Sequence, residues 1–220
     1  MTDRSPRKSK KLSREALITA ALELIDEAGV EKLTARKLAQ ALGASPMALY
    51  WHFRNMEDLL DGVGDHLASS IVASEEERES SPWDAKFRAA LTGVIDVAER
   101  HPGAADLVTK RLLFTEKGRQ VTEQALVALQ QAGLENEAAI IVARHSLRTA
   151  VNIGAESLFT QHSNDPRPSH ETVLFDHEAY PRLAQASSEI HRPTSPQIYR
   201  DTSVELLIGG VRDMAARLKN

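Results

Sequence analysis

The chain has 220 residues, 42% of them hydrophobic, a size that fits one small domain beside a larger one. It contains no cysteine, which excludes disulfides, thiolate metal sites and a cysteine nucleophile. The net charge of −4 argues against a nucleic-acid partner, yet the charge is unevenly placed: ten Lys and Arg face six Asp and Glu in residues 1–56, a net of +4, leaving −8 for the rest.

The first 11 residues form a basic arm. Arg4, Arg7, Lys8, Lys10, Lys11 and the nearby Arg14 stand against Asp3 alone. Such an arm is expected to be flexible and to order on phosphate or in a minor groove; a merely solvated tail would have the same composition. A first helix is predicted from about Ser13 to Ala28. Ser13 can cap it, Glu15 suits the positive end of its dipole, and Leu17, Ala21, Leu24, Ile25 and Ala28 recur as one apolar stripe. Gly29 stops it in a left-handed conformation that costs glycine nothing. Thr34 caps a second helix with Leu38 and Leu42 inward, and Gly43 ends it. Ser45 caps a third, and Pro46 fills its first position, where a missing N–H does no harm. Leu49 and Phe53 lie four apart and should sit on the first two helices. That turns Met47, Ala48, Tyr50, Trp51 and His52 toward the open sides. Asn55 caps a fourth helix through Leu59, Leu60, Val63, Leu67 and Ile71.

Two short helices around a tight turn have the layout of a helix-turn-helix that enters the DNA major groove. A helical hairpin with its aromatics in the core would show the same spacing. The short turn, the large side chains on a face not needed for packing, and the basic segment before it favour the DNA reading.

Ser74 to Pro82 reads as a solvated polar connection. Trp83, Phe87, Ala90, Leu91, Val94, Ile95 and Ala98 mark a helix that ends before Pro102. Val121, Ala125, Leu126 and Leu129 mark another, stopped by Gly133. A long helix from about Glu135 to Phe159 carries Ile140, Ile141, Leu147, Val151, Ile153 and Leu158. Residues from Gln161 to Pro196 should be mostly loop, with a short helix near Pro181 to Ser188. A final helix from Ser195–Pro196 to Leu218 carries the stripe Leu207, Val211, Met214, Ala215 and Leu218. The apolar faces of the two long helices exceed one small core and predict a four-helix dimer interface, although they could be internal core. Gly154 with Ala155, and Gly209 with Gly210, would allow close helix approach there. Arg144, His145, Arg148 and Glu156 are polar positions that could pair across that interface or orient a ligand.

Residues 13–71 resemble the DNA-binding domain of the tetracycline-repressor (TetR) family of bacterial transcription regulators. The segment Leu33 to Phe53 carries the resemblance, above all Leu49-Tyr50-Trp51-His52-Phe53, followed by Asn55, Leu59 and Leu60. It implies an all-α homodimer with an N-terminal three-helix DNA-reading domain, and a larger C-terminal domain that binds a small molecule and dimerises. The implied divisions are residues 1–11, 12–58 and 59–220. The DNA-binding set is Thr34, Arg36, Ser45, Pro46, Met47, Ala48, Tyr50, Trp51 and His52. In it Arg36 reaches a base or phosphate, residues 46–48 meet base edges or thymine methyls, and residues 50–52 mainly grip backbone. There are departures: Met56 stands where many members have a lysine, and Pro46 where a polar residue is common.

The resemblance is weaker further on. An ungapped continuation puts Val72 where tetracycline repressors hold drug with a histidine, while His101 falls near their metal-binding histidine. One without the other argues against a metal–tetracycline complex and for a different, apolar effector. Phe87, Leu91, His101, Phe114, Leu147 and Val151 are candidate pocket residues, although each could be plain core. His162, His170, Asp176, His177 and Glu178 match no metal-ligand spacing, so no metal and no cofactor are expected. No glycine-rich phosphate loop, nucleophile elbow or paired-histidine helix supports an enzyme. No apolar run reaches membrane-span length and no signal-peptide core is present, so a cytoplasmic protein without membrane contact is expected. The expected function is a ligand-responsive repressor that binds a near-palindromic operator. The alternative is a small-molecule-binding helical scaffold that does not read DNA specifically.

Overall fold

The computed structural model describes residues 12–73, 80–162, 177–187 and 195–218, with backbone alone for 156–162. The basic arm, most of the polar connection after Ser74, His170, Asp176 and the side chains of Glu156, Leu158 and His162 lie outside the described residues. Every described element is helical: α1 (Arg14–Ala28), a 3-10 turn (Val30–Lys32), α2 (Ala35–Leu42), α3 (Pro46–Leu49), α4 (Met56–Ser69), α5 (Trp83–Arg100), α6 (Ala105–Arg111), α7 (Glu116–Ala132), α8 (Asn136–His162), α9 (Pro181–Gln185) and α10 (Pro196–Leu218).

The chain divides into two compact units: residues 1–72 with 103–122, and residues 73–102 with 123–220. The first unit therefore takes back a segment, α6 and the start of α7, from far along the sequence. It is built on α1, which contacts both α2 and α4. A helix with neighbours on two sides buries a wide arc, and Leu17, Ala20, Ala21, Leu22 and Ile25 are all buried. The predicted stripe is corrected at its edges, since Leu24 is half-buried and Ala28 exposed. Gly29 ends α1 with φ 84° and ψ 156°, positive as expected but outside the left-handed helical region; Gly43, at φ 65° and ψ 29°, lies inside it.

α6 has no counterpart in the sequence reading. It is seven residues long, too short for a periodic signal, and charged neighbours hold it. Arg111 Nη2 donates to Glu57 at 2.6 Å and Nη1 to Asp61 at 2.9 Å. The Lys117 amide donates to Asp65 at 2.7 Å. Glu57, Asp61 and Asp65 follow one another at i, i+4 and i+8, so α4 presents a carboxylate row that α6 and the start of α7 engage. Gly64 lets α4 and α6 approach: a Cβ there would lie 2.9 Å from Arg111 Cβ.

In the second unit α8 lies along α5, with α10 against both. Gly154 is buried in that contact, where a Cβ would meet Ala98 Cβ at 2.6 Å. Its close approach is therefore internal, not to a second copy as expected. Ile140 and Ile141, expected in the apolar face, are exposed. On α10 the buried stripe is Val204, Ile208, Val211 and Ala215, while Leu207 is half-buried and Met214 and Leu218 are exposed. Arg200 ties α10 to α5 through Asp96 at 2.5 Å and Glu99 at 3.3 Å, and Arg212 does so through Asp84 at 3.0 Å.

Candidate nucleic-acid interface

The reading segment is set by four side-chain caps, all anticipated from sequence. Ser13, Thr34, Ser45 and Asn55 accept from the amides of Ala16, Lys37, Ala48 and Asp58 at 3.1, 3.2, 3.3 and 2.8 Å. Each is worth about 1 kcal/mol, and together they fix where α1 to α4 begin. Leu38, Leu49, Phe53, Leu59 and Val63 are buried. At roughly 1.5–3 kcal/mol apiece, their burial dominates the local energetics.

With Leu49 and Phe53 inside, their neighbours turn out. Met47 is 74% exposed, Tyr50 48% and Trp51 88%. Pro46 and Ser45 are exposed as well, while Ala48 and His52 are half-buried. α3 proper is a single turn, and Tyr50 caps its end with its amide bonded to the Met47 carbonyl. Thr34 and Arg36 are exposed at the start of α2. All nine candidate DNA-contacting residues thus lie between Thr34 and His52 in one unit, and seven of them are exposed.

Three further cations lie beside these nine residues. Lys37 is exposed beside Arg36, and neither makes an ion pair among the described residues. Arg54, just after the reading turn, is exposed and held by Asp58. That carboxylate accepts from the Arg54 amide at 2.9 Å and from its Nε at 3.4 Å. The amide hydrogen bond is the main cause that holds the Asp58 carboxyl below the usual carboxylate range, with the Arg54 and Arg14 charges adding to it. Arg14, counted with the basic arm in the sequence, belongs to α1 and is bound to the reading turn. Its guanidinium donates to the His52 carbonyl at 3.1 Å and lies over the Phe53 ring. Charge at position 54 between an aromatic run and a capping Asn was the available signal. Nothing in the linear sequence separates Arg14 from the arm.

Residues 17–63 match the family model described as bacterial regulatory proteins, tetR family. Tetracycline repressor protein class C from Escherichia coli is 31% identical over 187 residues, covering 79% of this chain and 85% of that one. The chain belongs to the tetracycline-repressor family. It is accordingly a DNA-binding transcriptional regulator with a helix-turn-helix near its N-terminus. Two solved structures share the fold at lower identity. ActR from Streptomyces coelicolor in complex with actinorhodin has a TM-score of 0.72 at 20% identity, over 93% of this chain and 98% of that one. BioQ with its natural double-stranded DNA operator has a TM-score of 0.61 at 20% identity, over 92% and 99%.

The six candidate effector residues are not all together. Phe87, Leu91, Leu147 and Val151 are buried in the second unit, on the facing helices α5 and α8, and His101 caps the end of α5. Phe114 belongs to the first unit and is 72% exposed. It follows α6 in a turn beside the exposed Leu113. A surface cavity of about 250 Å³ opens instead on α8, lined among the described residues by Ile141, Arg144, His145 and Arg148. Among the described residues, no group of three His, Asp or Glu is arranged to hold a metal ion. No described helix is long and apolar enough to cross a membrane.

Proposed function

We propose that the chain is an effector-controlled repressor that binds a near-palindromic operator as a homodimer. One observation carries the operator contact. Met47, Tyr50 and Trp51 stand exposed on a turn whose buried side chains are Leu49 and Phe53, with Arg36 and Lys37 on the preceding helix. Large side chains left in water at this cost need a partner, and flanking cations favour phosphate. Thr34, Ser45, Tyr50, Trp51 and His52 serve the backbone; Arg36, Pro46, Met47 and Ala48 face the bases. The operator carried by BioQ supports this reading by fold alone.

The dimer reading is supported by a face of the second unit that no described residue covers. Outward on α8 are Ile141, Arg144, His145 and Arg148; outward on α10 are Leu206, Gly209, Gly210 and Asp213. Gly209 and Gly210 have open space beyond their Cα atoms. A second copy suits this surface, because it would bury the exposed Ile141 and Leu206 and could approach closely at Gly209 and Gly210. Two copies also suit half-sites about 34 Å apart.

An apolar effector fits the environment of Phe87, Leu91, Leu147 and Val151, with His101 as a polar group. ActR with actinorhodin is a relative in fold that binds a small molecule. The effector would act by its difference in affinity for the DNA-bound and free states. The test is a cleavage-protection footprint, with a gel-shift titration for affinity, on the intergenic DNA beside the gene. Wild type should give a discrete palindromic footprint, and Tyr50→Ala should weaken it at least fivefold without loss of fold. Sequence-blind, salt-labile retention would reject the reading.

A further inference from the structure

Arg144 and Arg148 lie one turn apart on the exposed face of α8, with His145 beside them, and like charges at that spacing repel. No Asp or Glu stands three or four residues from either arginine. Among the described residues neither makes an ion pair. Elsewhere in the second unit Arg88, Arg200, Arg212 and Arg217 each hold a carboxylate. The acids of α10 are already engaged, Asp201 by Gln197 at 2.9 Å, Glu205 by Arg88 at 2.6 Å and Asp213 by Arg217 at 2.8 Å. A second copy laid on this face therefore brings further cations and no free carboxylate of α10. The two guanidiniums are also not on a flat surface. With Ile141 and His145 they line a cavity of about 250 Å³. At roughly 30 Å³ per water it has the space of about eight, more than a bare oxyanion fills. The guanidinium fork matches the oxygens of a carboxylate or phosphate, His145 offers an N–H, and Ile141 supplies an apolar wall.

We propose that this cavity binds a small organic oxyanion, a carboxylate or phosphate on an apolar body, and that the bound charge lets two copies meet on α8. The site is separate from the apolar core, because Leu147 and Val151 are buried on the other side of the same helix. Its second half rests on the dimer reading above. Burying four guanidiniums between two copies is costly while they lack counter-charge, and an anion on each removes much of that cost. Whatever binds the assembled face better than the separate one stabilises the dimer by the same difference.

The experiment titrates the full-length protein calorimetrically with benzoate and with phenyl phosphate, ionic strength being held with chloride. Inorganic phosphate and benzyl alcohol are the probes that lack the apolar body or the charge. At least one aryl anion should bind saturably, and which one does tells carboxylate from phosphate. The two control probes should bind about tenfold more weakly or not at all. The double variant Arg144→Gln, Arg148→Gln, whose exposed positions leave the fold intact, should lose about tenfold or more in affinity for the aryl anion. In sedimentation, a saturating aryl anion should tighten the wild-type dimer about fivefold or more and leave the variant dimer unmoved. No saturable binding of either aryl anion, or binding that the variant retains, overturns the site, and dimers that form all the same leave the dimer reading standing. Inorganic phosphate that binds as tightly overturns the organic ligand class. Binding that leaves the dimer constant unmoved overturns the role of the bound charge in assembly. A protein that is monomeric at every concentration overturns the dimer reading, and the calorimetry then decides the site alone.

Discussion

The Arg14 guanidinium lies 4.2 Å from the centroid of the Phe53 ring. The contact joins the start of α1 to the end of the reading turn, 39 residues on. The same side chain donates to the His52 carbonyl at 3.1 Å and approaches Asp58 at 3.6 Å. One half-exposed cation therefore orients three consecutive features: the last reading residue, its buried anchor and the first turn of α4. Replacing Arg14 by Ala should cost about 1–2 kcal/mol, the sum of a cation–π contact and one hydrogen bond. Operator affinity should fall although Arg14 is not assigned a DNA contact. Urea denaturation and a binding titration would check both; weaker binding with unaltered stability would instead make Arg14 a direct phosphate contact.

Asp58 links the same region to pH. Its carboxyl is held below its ordinary value, chiefly by the Arg54 amide. Unfolding therefore takes up a proton between the folded value and about 3.9. The stabilisation is complete above about pH 4 and is lost as pH falls toward the folded value. In Asp58→Asn, stability between pH 5 and 7 should drop by about 1–2 kcal/mol. The gap to wild type should narrow below pH 4 in chemical denaturation.

The row Glu57, Asp61 and Asp65 predicts coupled rather than independent losses. Arg111→Ala leaves Glu57 and Asp61 without their partner and should destabilise by about 1–2 kcal/mol. Glu57→Gln in that background should add little, because the interaction it removes is already gone. A double-mutant cycle by thermal unfolding measures the coupling, and strict additivity would show that the pair contributes nothing.

Two glycines should respond in opposite senses. Gly64→Ala forces a Cβ to 2.9 Å from Arg111 Cβ and should destabilise by about 1–3 kcal/mol. Gly209→Ala meets nothing among the described residues and should gain up to about 1 kcal/mol of helix propensity. If a second copy covers that face, the gain is confined to the protomer and dimer affinity falls. Sedimentation across a dilution series, with Leu206→Asp as a stronger disruptor, separates the two.

Deleting residues 1–11 should flatten the dependence of operator affinity on salt, because fewer phosphates are neutralised. An unaltered slope in titrations at several salt concentrations would show that the arm does not touch DNA.

What could be read along the chain was local chemistry. The caps at Ser13, Thr34, Ser45 and Asn55, the stops at Gly29 and Gly43, and the inward pair Leu49 and Phe53 all depend on residues within four positions of each other. That is the range over which a helix relates side chains. The exposure of Pro46, Met47, Tyr50 and Trp51 followed, and with it the candidate DNA face. Contacts across long separations were not legible. α6 packs because it buries Leu107 and Val108 and because Arg111 finds Glu57 and Asp61, 54 and 50 residues earlier; Arg14 leaves the basic arm because Phe53 and His52 arrive beneath it, and Gly154 is internal because Ala98 occupies its space. Periodicity says that a face is apolar but not what covers it. The partner of a face is chosen when distant segments compete for the same surface, and that competition is resolved only in three dimensions.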